Sequence, residues 1–168
     1  MISQLRRRVL GVSTLLLTGW LLSGCAGTPQ AVPAAANTTR SHAATHLSIG
    51  DQAASVAAQQ VGVPYRYGGK SPSGFDCSGL VHYSYLQAGK ALPRTTGQLW
   101  KHAKDVNRDD MRAGDLIFFS IEGKMQHVGL YLGDGKFVHA PQSGRTVSIA
   151  SLSNSFYEQA FLRAGRPH

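Results

Sequence analysis

The second half of this chain is cut into short apolar runs, and that punctuation constrains the fold more than any other feature. Residues 116–121, 127–132, 136–140, 146–149 and 156–163 are rich in branched and aromatic side chains and are separated by Gly, Asp, Pro and Ser. Runs of this length bounded by turn formers predict strands. The first half follows a different period. Ala53, Val56, Ala57 and Val61 recur at helical spacing, and Gly62 and Pro64 follow where a helix over residues 51–61 would stop. A glycine-rich loop at residues 68–74 leads to a second predicted helix over 77–88, with Asp76 as N-cap and Gly89 as terminator. A short third helix is predicted over 96–103. Helices first and strands afterwards predict an α+β domain with an antiparallel sheet.

The N-terminus is of another kind. Arg6, Arg7 and Arg8 precede a mostly apolar stretch at residues 9–22, the charged-then-apolar layout of a secretory signal. The stretch is shorter than the ~20 apolar residues needed to cross a bilayer. It closes on Leu22-Ser23-Gly24-Cys25, which resembles the lipobox of bacterial lipoproteins. The resemblance implies removal of residues 1–24, lipidation of Cys25 and, with Ala26 rather than an aspartate next, sorting to the outer membrane of a Gram-negative host. Residues 25–47 lack aromatic side chains and are rich in Ala, Thr, Pro, Ser and Gly. Such a segment has too little apolar surface to offset the entropy of ordering. It is expected to be a flexible tether, His42 and His46 included, ahead of one domain at 48–168. With no appended wall-binding module expected, anchor and tether would provide localisation.

Charge and cysteine content narrow the chemistry. Loss of the signal arginines lowers the formal charge of +8 by three, and the remaining basic residues form no run. They read as solvated surface charge, so nucleic acid is not an expected partner. The two cysteines, Cys25 and Cys77, are too few for a zinc framework or a disulfide scaffold.

With Cys25 assigned to lipid, Cys77 is an unpaired thiol in an exported protein, which calls for a reason. At the start of a helix, free backbone N–H groups and the dipole favour its thiolate. Two histidines give it company. Residues 127–132 alternate as a strand, Gly133-Asp134-Gly135 signals a turn, and Phe137-Val138-His139 returns. A two-residue Asp134-Gly135 loop would pair His139 with Leu130 and turn it away from His127. A three-residue loop at 133–135 would instead set His139 opposite Gly129 and on the face of His127, with Gly129 leaving room for the imidazole. Attack of a thiol on an amide needs a thiolate, an imidazole to protonate the leaving amine, and a polar group fixing that imidazole's tautomer. Cys77, His127 and His139 are candidates for these roles. Read singly, Cys77 fits a small core cysteine and each histidine a strand residue. His82, His102 and His168 have no such company.

Six segments then resemble, in order, the motifs of the NlpC-type papain-like cell-wall cysteine peptidases. They are Tyr65-Arg66-Tyr67-Gly68-Gly69, Asp76-Cys77-Ser78-Gly79-Leu80, Pro93-Arg94-Thr95-Thr96, Gly114-Asp115-Leu116-Ile117-Phe118-Phe119, His127-Val128-Gly129-Leu130-Tyr131 and Val138-His139-Ala140. The resemblance implies a papain-like fold with Cys77 as nucleophile, His127 as general base and acid, and His139 as the orienting group. It further implies that the Tyr65 hydroxyl supports the oxyanion and that Asp76, Ser78 and Arg94 lie near the cleft as substrate-binding or, equally, capping and packing residues. The implied reaction is hydrolysis of the γ-D-glutamyl–diaminopimelate bond of peptidoglycan stem peptides, with no metal or cofactor. A non-catalytic peptidoglycan-binding lipoprotein, or an amidase or transpeptidase using the same three residues, stays open at this point.

Overall fold

The computed structural model describes residues 47–121 and 123–168 of the chain. The predicted signal, Cys25, His42 and His46 lie outside the described residues. In chain order the elements are α1 (Ile49–Ala58), β1 (Lys70–Ser71), β2 (Gly74–Phe75), α2 (Cys77–Gln87), α3 (Thr96–His102), β3 (Ala103–Val106), β4 (Leu116–Ile121), β5 (Lys124–Gly133), β6 (Lys136–His139), β7 (Ser148–Ser151), α4 (Ser155–Ala160) and β8 (Phe161–Pro167). The six longer strands form one antiparallel sheet in the order β3-β8-β4-β5-β6-β7. This is the expected α+β arrangement, with the helices of the first half packed on the sheet.

Side-chain caps set the helix starts. At α1 the Ser48 hydroxyl accepts the Asp51 N–H at 3.1 Å while the Asp51 carboxylate accepts the Ser48 N–H at 3.0 Å, a reciprocal capping box. Asp76 caps α2 through the N–H of Gly79, and Thr95 caps α3 through that of Gln98. Each cap satisfies a donor that a helix start leaves free.

Both faces of the sheet are covered, which explains why β4 opens with an unbroken apolar run, Leu116 to Phe119. Phe118, Val128, Leu130 and Val138 face α1 and α2 and pack with Leu80 and Val81. Ile117, Phe119, Tyr131 and Phe137 face the other way and pack with Leu152, Ala160 and Ala164. Full burial of each of these large side chains contributes roughly 1.5–3 kcal/mol.

One expectation needs correction and one strand is added. The strand predicted at 156–163 is a helix followed by a strand, α4 and β8. The Asn154 side chain accepts the Phe156 N–H at 3.0 Å and starts α4, so a local cap overrides the β propensity of the aromatic pair. β3 is an addition: its charged middle, Lys104 and Asp105, is exposed on the sheet edge, a pattern that hides an edge strand from hydrophobicity.

Candidate active site

The nucleophile candidate sits where α2 meets β5. Cys77 is the first residue of α2, and the cap at Asp76 is extensively supported. The Asp76 carboxylate accepts the N–H of Gly79 at 2.6 Å and of Gly68 at 3.0 Å, and takes both Arg94 nitrogens at 2.9 and 2.6 Å. Arg94 also donates to Ser78 Oγ at 2.9 Å and to the Gly69 carbonyl at 3.2 Å. One network thus ties the glycine-rich loop, α2 and the approach to α3 together. Gly79 is required by the closeness of that loop: a Cβ there would lie 1.9 Å from the Gly69 oxygen.

Cys77 is partly buried. Its sulfur lies 3.7 Å from Thr96 Oγ1 and 3.7 Å from the Gln126 carbonyl, to which the thiol donates. Gln126 is an extra residue in β5, since Phe119 faces His127 while Ser120 faces Met125. Such a bulge re-aims the backbone beside a site. The N–H groups of Val128 and Ser78 also point at the sulfur, so Sγ is held against the backbone on both sides of His127. Its hydrogen-bond partners are these groups, not the imidazole. Catalytic contacts in free enzymes are often long and tighten when substrate binds.

The two histidines share one face of the sheet. His127 Nε2 and His139 Nδ1 are 2.8 Å apart, and both residues are buried. The hairpin achieves this by a route that combines the two loops considered above. Asp134 and Gly135 form a two-residue turn with φ of 50° and 68°, closed by the Gly133–Lys136 pair. Leu132 is then an unpaired extra residue, and the register resumes at Tyr131–Phe137 and Leu130–Val138. His139 therefore falls level with Gly129. The space beside Gly129 is taken by the Phe137 ring, whose Cδ2 a Cβ would meet at 2.5 Å; the imidazole does not occupy it.

Electrostatics corrects a second expectation. Burial pushes the Cys77 thiol above its ordinary pKa, outweighing the Thr96 hydroxyl and the two backbone N–H groups that favour the thiolate. Burial likewise lowers His127 to about 3, helped by the adjacent His139, and lowers His139 to about 4. The site at rest is a neutral thiol beside neutral imidazoles, because desolvation disfavours every charged form here. Tyr65 shows the same trend: burial, then the nearby Cys77, Asp76 and Tyr67, raise its phenol, so its hydroxyl keeps its proton.

Some functional candidates were not anticipated from sequence. The Tyr157 hydroxyl lies 3.3 Å from His139 Nε2, and its ring packs edge-on against Phe119, Phe137 and His139. Thr96, whose Oγ1 lies 3.7 Å from the Cys77 sulfur, closes the Pro93–Thr96 segment without a role implied by the resemblance. A cavity of about 440 Å³ adjoins His127, His139 and Tyr157, with Arg145, Thr146 and Ser148 also in its wall. Asp115, by contrast, belongs to a motif yet serves the scaffold: buried, it takes Arg166 through two bonds of 2.8 Å.

Comparison with known proteins fits this geometry. Over 114 residues, or 64% of it, the chain is 42% identical to the murein DD-endopeptidase MepH of Escherichia coli, covering 42% of that protein. It is 44% identical over 109 residues to a gamma-D-glutamyl-L-lysine dipeptidyl-peptidase of Bacillus subtilis, covering 63% of this chain and 37% of the relative. The chain thus spans less than half the length of these curated relatives. Among solved structures, the NlpC/p60 domain of the peptidoglycan hydrolase SagA aligns with a TM-score of 0.60 at 36% identity, over 69% of this chain and 97% of that one. An NlpC/P60 protein of Bacillus cereus aligns at 0.66 with 34% identity, over 70% of this chain and 40% of the other. The shared fold is the papain-like α+β arrangement described above. The NlpC/P60 family model matches residues 62–166, and the chain belongs to that family.

Proposed function

We propose that this chain is a cysteine endopeptidase of peptidoglycan that cuts the γ-D-glutamyl–diaminopimelate bond of stem peptides. The observation that carries the reading is the confluence of Cys77 at a helix start with the His127–His139 pair. Because thiol and imidazole are neutral at rest, His127 acts as a general base during attack. For that, Nδ1 must be bare: His127 Nε2–H donates to His139 Nδ1, and His139 Nε2–H donates to the Tyr157 oxygen. The Cys77 sulfur then bonds to the amide carbon while its proton passes to His127 Nδ1. The oxyanion is held by the protonated Tyr65 hydroxyl and a backbone N–H left free in the first turn of α2. His127 returns the proton to the leaving amine as the C–N bond breaks, and water hydrolyses the thioester. Asp76, Ser78 and Arg94 fix the loop along the acyl side, where substrate approaches.

The name of the relative MepH favours a second reading, cleavage of the D,D cross-link. Digestion of purified muropeptides by the wild type and Cys77→Ala, with products identified by mass, separates these readings. Release of a diaminopimelate N-terminus by the wild type alone supports the first. Loss of cross-links supports the second, and binding without cleavage would leave only a scaffolding role.

The same reading places residues 1–24 as a removed signal, Cys25 as the lipidated residue and 25–47 as a tether holding the domain at the outer membrane. Its support is the lipobox sequence and the stable anchoring that several acyl chains give. Cys25→Ala is expected to move the protein from the membrane to the soluble fraction; retention in the membrane would contradict the assignment.

A further inference from the structure

The cavity beside the histidines has a charge for which the described residues supply no partner. Arg145 is exposed in its wall, and among the described residues it forms no ion pair. The other polar wall residues, including Gln142, Thr146, Ser148 and Tyr157, are neutral, and no carboxylate lines the space among the described residues. The backbone beneath Arg145 is fixed: its N–H donates to the Gln142 carbonyl at 3.1 Å, and its own carbonyl accepts the Tyr65 N–H at 2.8 Å. The guanidinium is therefore rooted beside the tyrosine that neighbours Cys77, and its charge is felt at the Tyr157 phenol.

Position relative to the chemistry gives the cavity a side. His127 lines it and Cys77 does not. The acyl group stays on the sulfur, whereas the leaving amine must collect its proton from the imidazole. A hollow reached through the imidazole lies on the amine's side of the bond. The separate hollow formed by the glycine-rich loop at Arg66–Gly74 is joined to the nucleophile helix through Asp76.

Resting on the peptidase reading, we propose that this cavity receives the leaving residue and that Arg145 recognises a free carboxylate on it. Diaminopimelate has such a group at the far end of its side chain, and lysine does not. The assignment holds for either bond considered above. In the γ-D-glutamyl link the carboxylate is distal to the released amine; in the D,D cross-link it sits on the carbon that bears the amine. A planar guanidinium suits a carboxylate because two parallel N–H···O bonds form at once.

The test compares three stem peptides that differ only in the leaving residue: diaminopimelate, its amidated form, and lysine. They are offered to the wild type, Arg145→Gln and Arg145→Lys. The wild type is expected to favour the free carboxylate by about tenfold or more in kcat/KM, the order of one charge-assisted contact. Arg145→Gln should remove that preference by raising KM for the diaminopimelate peptide alone, and Arg145→Lys should keep part of it. Equal losses on all three peptides, or cleavage by the wild type without discrimination, would overturn the proposal. Calorimetric titration of Cys77→Ala with the same peptides, with and without Arg145→Gln, separates this outcome from failure of the peptidase reading. Carboxylate-dependent binding lost with Arg145 supports the subsite even if no peptide is cut, and binding indifferent to the carboxylate refutes it.

Discussion

On the helix side of the sheet, the charged groups around Cys77 are matched within the protein: Asp76 holds Arg94, and both hold Ser78 and the glycine-rich loop. On the far side, His127, His139 and Tyr157 form a buried polar row that ends at an open cavity, where Arg145 has no counter-ion among the described residues. The first arrangement fixes geometry, since a network with every member satisfied is rigid. The second leaves its charge available to something else. A thiol peptidase needs both: a nucleophile that does not wander and an opposite wall that can read what departs.

The sharpest way to break this contrast is to cut each side once. His127→Gln, which keeps a hydrogen-bonding side chain in the buried row, should lower kcat by roughly 10²–10⁴, the usual contribution of a positioned acid–base, with only a small change in urea unfolding. Asp76→Ala should cost more stability, about 2–4 kcal/mol, as a cap and a half-buried ion pair go together, and kcat should fall with it as the start of α2 loosens around Cys77. A parallel fall in stability for both variants would mean that the two sides are not distinct.

Acid sharpens it further. In the unfolded chain both histidines titrate near 6.5, against about 3 and about 4 in the fold. Between those limits the unfolded state binds more protons, so stability is intact above about pH 6.5 and falls as pH drops toward 3. The slope is at most about 1.4 kcal/mol per pH unit for each histidine. Thermal melts of His139→Asn should show a shallower slope across that window; an unchanged slope would place the acid sensitivity elsewhere.

The smallest effect concerns the end of the row. Tyr157→Phe keeps the ring against Phe119 and Phe137 and removes only the oxygen. Activity is expected to fall by about tenfold or less, the scale of one hydrogen bond. Because the oxygen accepts from His139 and so favours the cationic form, its loss should shift the acid limb of the rate profile to lower pH. A packing defect would lower the rate without moving that limb.

Much of this molecule was readable from residue order alone, for local reasons. α2 came from Asp76 and Gly89, and β4 from an apolar run bounded by Asp115; the hairpin left two loops open for His139, and the observed turn, with Leu132 unpaired, is neither of them as it stood. What escaped depends on partners distant in sequence. Tyr157 meets His139 because Asn154 starts a helix there, and aromatic residues in a short run look like strand. The raised thiol pKa is equally non-local: a helix start favours thiolate, and only the packing around it reverses the sign. Arg145 was one of many scattered basic residues until the fold set it beside His127.

The hairpin that bears both imidazoles has a consequence of its own. A two-residue turn by itself would have sent His139 to the helix face; the single supernumerary residue at Leu132 corrects the phase. Loss of one residue between Tyr131 and Phe137 would swing that ring through the sheet while altering no side chain of the cleft. Length variation in this short connection is therefore a route by which a member of the family could keep every motif letter and fall silent.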